Sequence, residues 1–343
     1  MNVIRIDSSS RIPKYKQIVK SVQSNIMNRV YNQGDQLPSV NALCEELSVA
    51  RDTVIKSYKE LSTMGIITSM PGKGYYVSKS THEIEHHVFL LFDLFLPYKK
   101  IMYNSFIDCM GKNAVVDIYF HHYNPELYKK LILEAKGQYT DFVIMPLEGE
   151  EKYCQWFDQY LGDENVYILD LGYKQYGQKY PSVCQNFKKE WYESFVKLHD
   201  RIKKYDKFVL TVYQGAISEF SRPHDTEMEE GFREYCSDYN IDYKVMTKDD
   251  EFEVKKNECY MVPDDKKLVK TIKMARSKDF RLGKDIGIIS HNESPMKSVI
   301  CSDGVTTIST DFEAMGKKLA DMIINGKKEY LENDYVVFFR NSI

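Results

Sequence analysis

Residues 34–40 read GDQLPSV and residues 49–61 read VARDTVIKSYKEL, and these two stretches decide the fold of the N-terminal region. Glycine, aspartate and proline in the first stretch end any preceding helix. Ser39 is a preferred N-cap residue for the next helix, which the apolar spacing places at 40–47. In the second stretch, apolar side chains recur one helical turn apart, which predicts a third helix over 52–64.

A helix before these stretches and a hairpin after them complete the unit. Apolar residues recur at helical spacing across 13–30, which predicts the first helix. Gly65 ends the third helix, at a position that often takes a left-handed residue. Beyond it, 66–70 and 75–77 are predicted as two short strands, joined by the turn PGKG at 71–74. Helix, short helix, turn, helix and β-hairpin is the order of a winged helix-turn-helix.

The residues of this region resemble the GntR family of bacterial regulators. The resemblance lies in five segments that occur in the family's order: Gly34–Val40, Val49–Val54, Tyr58–Leu61, Gly65–Ile67 and Pro71–Val77. It implies that residues 1–77 form a winged helix-turn-helix DNA-binding domain.

The resemblance also implies which side chains meet DNA. The third helix would enter the major groove with its N-terminus first, where free backbone N–H groups and the helix dipole favour phosphate. Arg51 at that entrance can bind guanine bidentately or grip phosphate. Asn41 stands where the family often carries arginine, so the operator sequence stays open. The implied DNA-binding residues are Ser39, Asn41, Arg51, Asp52, Thr53, Lys56, Lys73 and Gly74.

The distribution of charge agrees with a DNA-binding head. The chain has a net charge of −3, but residues 1–80 hold 11 Lys/Arg against 6 Asp/Glu and the remainder carries the excess of acid. A basic head on an acidic body fits an anion-binding module attached to a region that avoids DNA.

The bulk composition excludes several other classes of protein. Hydrophobic residues make up 43% and charged residues 28%, as in ordinary globular proteins, and 343 residues predict two or three domains. No window approaches the ~18 apolar residues of a membrane helix, and the N-terminus lacks the order of a signal peptide. The seven cysteines are scattered without a CxxC, so no disulfide framework or zinc site is expected. These features predict a cytoplasmic protein.

The body is predicted to be an α/β domain in two lobes. A polar linker at 78–87 precedes a buried apolar strand at 88–92, and strands and helices then alternate to the end of the chain. The alternation predicts doubly wound parallel sheets over 88–343, with lobe 1 at about 88–185 and 303–325 and lobe 2 at about 186–302 and 330–343.

The end of the body carries a second resemblance. The segments 282–292 (LGKDIGIISHN) and 304–316 (GVTTISTDFEAMG) are similar to the effector domain of LacI-type regulators, which resembles periplasmic sugar-binding proteins. The resemblance implies a small ligand bound between two lobes, and a monosaccharide is the expected class.

Candidate ligand-binding residues follow the ends of the predicted strands. Ligands of such folds lie beyond the carboxyl ends of the strands, and sugars need polar side chains and an aromatic face. Asn186 fills a place where the family usually has aspartate. Arg222 lies earlier than the family's arginine, whose place Met228 takes, so the identity of the ligand stays open. The candidates are Phe95, Asn186, Phe187, Arg222, Asp264, Asp265, His291, Asn292 and Asp311.

Together these features predict a dimeric, ligand-responsive repressor of carbohydrate metabolism that binds double-stranded operator DNA. No catalytic residue, cofactor, metal or membrane partner is expected. A GntR-type regulator with a non-sugar effector is the alternative. The body is too short for the pyridoxal-phosphate aminotransferase that follows some GntR-type heads, and it lacks a glycine-rich phosphate loop, GxSxG and HExxH. The strand–helix alternation also counts against an all-helical or a smaller α+β effector module.

Overall fold

The structure is a computed structural model of the 343-residue chain. It describes these residues: 4–7, 12–78, 85–147, 151–172, 176, 179–211, 223–246, 251–301 and 303–343. By its internal contacts the chain divides into two compact units. The first comprises Met1–Phe92, Met110–Ile144 and Asp158–Val166, and the second comprises Asp93–Cys109, Met145–Phe157 and Tyr167–Ile343.

The head has the predicted order of elements. Three helices precede a two-stranded antiparallel hairpin: α1 Lys14–Met27, α2 Val40–Leu47, α3 Arg51–Thr63, β1 Ile67–Met70 and β2 Gly74–Val77. Their apolar faces meet in one core, in which Ile18, Val22, Leu43, Val54 and Tyr58 have no exposed surface. The helical spacing read from the sequence therefore marks the buried faces correctly.

Local chemistry sets the ends of the head's helices. The predicted N-cap is confirmed, because Ser39 Oγ accepts a hydrogen bond from the Ala42 N–H at 3.1 Å. Gly65 follows α3 with φ of +73°, as a helix terminator should. The first helix ends earlier than predicted: α1 stops at Met27, so Val30 lies beyond it and is 48% exposed.

The body alternates strands and helices as predicted. Its strands are β3 His86–Phe92, β4 Ala114–Phe120, β5 Asp141–Ile144, β6 Val166–Asp170, β7 Ser182–Cys184, β8 Lys207–Leu210, β9 Tyr243–Val245, β10 Glu258–Val262, β11 Gly287–His291, β12 Thr306–Thr310, β13 Tyr330–Glu332 and β14 Tyr335–Phe338. Its helices are α4 Pro97–Met110, α5 Pro125–Ala135, α6 Glu151–Leu161, α7 Phe187–Ile202, α8 Pro223–Asp238, α9 Asp265–Ser277, α10 Pro295–Val299 and α11 Phe312–Ile324. The strand β3 begins two residues inside the predicted linker.

The strands of the body are mainly parallel. In the first unit, β3 pairs in parallel with β4 on one side and β5 on the other. In the second unit, β7 lies between β6 and β13, again in parallel. A six-stranded sheet in the second unit has the order β14-β12-β11-β10-β8-β9, in which only the edge strand β14 is antiparallel. Parallel strands with intervening helices place all their carboxyl ends on one edge of a sheet, which is where such folds bind ligands.

Two features of the described residues bear on the class of protein. No helix among them is long and apolar enough to cross a membrane. Within the same part of the chain, no group of three or more histidine, cysteine or acidic side chains is arranged to hold a metal ion.

Candidate functional site

The start of α3 presents cations and free backbone donors together. Arg51 is the first residue of the helix, Lys56 lies in its second turn, and both side chains are exposed. Ala50 occupies the N-cap position and supplies no capping side chain. Backbone N–H groups beside a guanidinium are the combination that binds phosphate or a guanine edge. Asp52 is exposed in the same turn, where a carboxylate can accept a hydrogen bond from a cytosine amine.

Contacts inside the head position Thr53 and Lys56. Lys56 Nζ lies 3.8 Å from the centroid of the Tyr15 ring on α1, a cation–π contact between two elements of the head. Thr53 is half-buried, and its N–H donates to the Ala50 carbonyl at 3.0 Å. Thr53 and Lys56 are three residues apart, so they lie on the same face of α3.

The start of α2 holds two further predicted residues. Asn41 is the second residue of the helix and is exposed. Ser39 is exposed too, but its hydroxyl oxygen is already engaged in capping the helix. Its hydroxyl proton remains available as a donor.

The tip of the wing is shaped by glycine. Gly72 and Gly74 have φ of +74° and +108°, which side chains other than glycine rarely adopt. Between them Lys73 is exposed, and its carbonyl oxygen accepts hydrogen bonds from Gln36 Nε2 at 2.7 Å and from the Tyr76 hydroxyl at 3.3 Å. The turn therefore exposes a lysine on a backbone that is held from two sides.

The segment 34–38 joins α2, α3 and the wing. It runs along β2, with the Leu37 N–H donating to the Tyr75 carbonyl and the Val77 N–H to the Asp35 carbonyl, both at 2.9 Å. Its last residue, Pro38, accepts from the Tyr58 hydroxyl of α3 at 2.8 Å. Residues 34–38 therefore connect α2, α3 and the wing, the three elements that carry the predicted DNA-binding residues.

In the second unit, three of the predicted ligand-binding residues cap helices. Asn186 Oδ1 accepts from the Lys189 N–H at 3.3 Å, Asp264 from the Lys267 N–H at 2.7 Å, and Asp311 from the Ala314 N–H at 2.9 Å. Asn186 also donates to Glu332 Oε2 at 3.0 Å. Capping uses one oxygen lone pair, so each side chain keeps further hydrogen-bonding capacity.

The carboxyl end of β11 carries two predicted residues, His291 and Asn292, and the first of them contacts a tryptophan. The ring of His291 meets Trp191 of α7 edge-on, with ring centroids 5.4 Å apart. Trp191 Nε1 and Asn292 Oδ1 are both buried and have no hydrogen-bond partner among the described residues. Buried polar atoms are normally paired, so the indole donor on α7 and the amide acceptor after β11 are candidates for contact with a polar ligand.

A buried lysine holds this strand end in place. Lys297 of α10 is 3% exposed, and its ammonium donates to the carbonyls of His291 at 2.6 Å and Asn292 at 2.8 Å. It also pairs with Asp265 Oδ1 at 2.8 Å. Asp265 is thereby tied to the residues after β11, although its own side chain is largely exposed.

The remaining predicted ligand-binding residues are not brought together. Phe95 follows β3 and is 53% exposed. Phe187 is buried in the core that surrounds α7 and α8, where Met228 also lies. Arg222 lies outside the described residues.

The second unit contains a buried polar network that was not predicted from the sequence. Lys99 of α4 is 2% exposed and binds Asp93, and its Nζ lies 3.7 Å from Asp170 Oδ2. Gln185 donates to Asp170 and accepts from the Thr310 hydroxyl, which lies 3.0 Å from Glu190 Oε2. Asp93, Asp170, Gln185 and Thr310 all lie at or just after the carboxyl ends of strands.

Burial dominates the chemistry of Glu190. It raises the pKa of the carboxyl to about 8, while the hydrogen bond from the Asn186 N–H opposes the shift. Two aspartates directly after apolar strands were a sequence signal for this network. Lys99 and Glu190 carried none, since Asp170 and Thr310, which join them to the network, are distant from them in the chain.

The N-terminal head is similar to known bacterial regulators. Residues 14–77 match the family described as bacterial regulatory proteins, gntR family. The chain carries a gntR-family regulatory domain. Over 78 residues it is 37% identical to the HTH-type transcriptional repressor YtrA of Bacillus subtilis (strain 168), a match that covers 23% of this chain and 60% of that repressor.

The rest of the chain matches a second group. Residues 203–333 match a periplasmic binding protein-like domain. A LacI family transcriptional regulator from Silicibacter pomeroyi superposes with a TM-score of 0.59 at 12% identity, over 75% of this chain and 98% of that one. A dimeric Lac repressor superposes with a TM-score of 0.58 at 13% identity, over 75% and 97%. At these identities the likeness shows the fold. It confirms the predicted class, in which the gntR-family domain is followed by a two-lobed α/β domain with parallel sheets.

Proposed function

We propose that the chain is a sequence-specific DNA-binding transcription regulator whose body binds a small effector. The observation that carries the proposal is the gntR-family domain, in which the apolar faces of α1–α3 are buried while Arg51, Lys56 and Lys73 stay exposed. A regulator of this kind acts where the chromosome is, so its place is the cytoplasm.

In this proposal α3 reads the major groove and the wing contacts the backbone of the duplex. Arg51 binds guanine or phosphate, and Asn41 binds adenine or phosphate. Lys56 and Lys73 neutralise phosphates, which makes the affinity fall with salt. Gly74 lets the backbone of the wing approach the minor groove.

The proposed effector is a monosaccharide bound at the carboxyl ends of the strands. A sugar hydroxyl both donates and accepts, so it can satisfy Trp191 Nε1 and Asn292 Oδ1, which lack partners among the described residues.

A charged metabolite is the second candidate effector. The observation in its favour is the buried set of ionisable groups, Asp93, Lys99 and Asp170, at or near strand ends of the same unit. Buried charges of this kind recognise ionic groups more strongly than neutral hydroxyls.

The proposed assembly is a homodimer that represses transcription, as YtrA is named a repressor and the similar Lac repressor is described as dimeric. Two heads related by a two-fold axis would read two half-sites of a pseudo-palindromic operator. The effector would change operator affinity through a coupling free energy of about 1–3 kcal/mol.

Selection of duplexes from a random pool with the full chain tests the proposed function. We expect one motif to be enriched, with two related half-sites about one helical turn apart or a multiple of it. A pool that shows no enriched sequence after selection would contradict sequence-specific binding. An enriched single half-site would retain the DNA-binding head and contradict the dimer.

A further inference from the structure

The hydroxyl of Thr310 links Glu190 to the rest of the buried network. The Thr310 hydroxyl has one proton and lies against two oxygens, Gln185 Oε1 and Glu190 Oε2. It can donate to only one of them. A hydrogen bond between Thr310 and the other oxygen needs a proton that the other group supplies.

The orientation of Gln185 decides between the two. Gln185 Nε2 donates to Asp170 Oδ1, so its Oε1 is the atom that faces Thr310. A flipped amide would place the Gln185 oxygen against an oxygen of Asp170, and the Lys99 ammonium 3.7 Å from Asp170 Oδ2 favours the carboxylate, which has no proton to donate. An amide oxygen has no proton, so Thr310 donates to Gln185. Glu190 must then donate to Thr310.

The second oxygen of Glu190 agrees with this assignment. Glu190 Oε1 accepts from the Asn186 N–H at 3.3 Å, as the carbonyl oxygen of a carboxylic acid does. The side chain is 4% exposed, and burial raises its pKa to about 8. We propose that Glu190 is a neutral carboxylic acid that donates its proton to the Thr310 hydroxyl. This hydrogen bond, which we call the latch, holds α7 and the 185–186 connection to the end of β12. The protonation of Glu190 does not depend on which effector the body binds.

The charged surroundings of Glu190 favour the neutral acid. Asp170 at the end of β6 and Glu332 on β13 both raise its pKa. Tyr335 of β14 faces the same region and donates to Glu193, one turn along α7. The lysine that precedes it on the same helix, Lys189, is paired with Glu332 at 2.7 Å. Ionisation of Glu190 would add a third carboxylate and remove the proton that the chain of hydrogen bonds needs.

The latch predicts a specific dependence of stability on pH. The unfolded chain ionises Glu190 near the usual pKa of about 4.3, while the folded chain keeps the proton until about pH 8. Between these values the folded state of the wild type is disfavoured by a further factor of about ten for each pH unit. Glu190→Gln cannot ionise and its amide can still donate to Thr310, so the variant escapes this loss.

Denaturant unfolding of the full chain at a series of pH values tests the latch. The folding constant of Glu190→Gln relative to wild type should rise about tenfold per pH unit from about pH 5 to about pH 8 and then level off. Glu193→Gln, a matched change on the same helix, should show no such rise. A ratio for Glu190→Gln that stays constant with pH would overturn the proposal.

Infrared difference spectra of the wild type between neutral and alkaline pH give a second test that needs no variant. A protonated-carboxyl carbonyl band should disappear as the pH crosses about 8. Its absence at neutral pH would show an ionised Glu190 and overturn the proposal, even if Glu190→Gln fails to fold.

Discussion

The hydroxyl of Tyr58 on α3 donates a hydrogen bond to the carbonyl oxygen of Pro38 at 2.8 Å. Tyr58 has no exposed surface, and burial raises its pKa above the usual value, so it stays a neutral donor. Pro38 precedes the cap of α2 and belongs to the segment that runs along β2. One buried hydroxyl therefore fixes the relation of α3 to the start of α2 and to the wing.

Replacing Tyr58 with phenylalanine removes this bond and leaves the ring in place. We expect the free energy of unfolding to fall by about 1–2 kcal/mol, because the Pro38 carbonyl loses its partner. Tyr76→Phe, which removes an exposed hydroxyl 3.3 Å from the Lys73 carbonyl, is the matched control and should change stability by less than about 0.5 kcal/mol. Equal effects of the two variants in denaturant unfolding would contradict the role given to Tyr58.

Variants of Ser39 separate capping from DNA contact. Ser39→Ala should destabilise the head by about 1 kcal/mol, because the Ala42 N–H loses its acceptor, whereas Ser39→Asp keeps a cap. If Ser39 also lies against phosphate, the added charge of Ser39→Asp should weaken DNA binding despite normal stability. Ser39→Asp with wild-type affinity would remove Ser39 from the DNA interface.

Lys297 is expected to be needed for the geometry of the residues after β11. Lys297→Met should lower the free energy of unfolding by about 2–3 kcal/mol, since two buried carbonyls lose a charged donor. Lys273→Met on the exposed face of α9 is the control and should be near neutral. Similar stabilities of the two variants would show that the ammonium of Lys297 does not hold this strand end.

A thermal-shift screen against neutral and phosphorylated monosaccharides tests the proposed effector. A sugar at about 100 times its dissociation constant should stabilise the folded chain by about 2.7 kcal/mol. Trp191→Phe keeps an aromatic ring and removes the indole donor that lacks a partner among the described residues, so it should reduce that shift. If no sugar gives a shift while the protein still binds DNA, the monosaccharide is excluded and the charged metabolite becomes the leading candidate.

The head could be predicted from sequence because its determinants are local. A cap at Ser39, a left-handed residue at Gly65 and apolar spacing within each helix are all set within a few residues. The end of α1 was predicted three residues late, because Val30 continues the apolar period. The structure places Arg29 at φ of +56° and so ends the helix before it.

The order of strands and helices in the body could largely be predicted from the sequence, whereas the residues of its candidate ligand site could not. Helix α6 and the three-residue strand β7 went unpredicted, since β7 is too short to show a period. The buried network depends on pairs such as Thr310 and Glu190, which lie 120 residues apart. No local pattern encodes such a pair. Phe187 was predicted as a ligand contact because it follows the connection between the lobes. Its side chain instead packs in the core, which its position in the sequence does not reveal.

The measurement that tests the central claim most directly is the affinity of Arg51→Ala for a selected duplex, measured by fluorescence anisotropy at fixed salt. The control is Lys112→Ala, which removes one exposed positive charge from a turn outside the head. We predict that Arg51→Ala weakens binding by about 1–3 kcal/mol and that Lys112→Ala leaves it unchanged. An Arg51→Ala variant that is folded and binds the duplex as tightly as wild type would contradict the assignment of α3 as the DNA-reading helix.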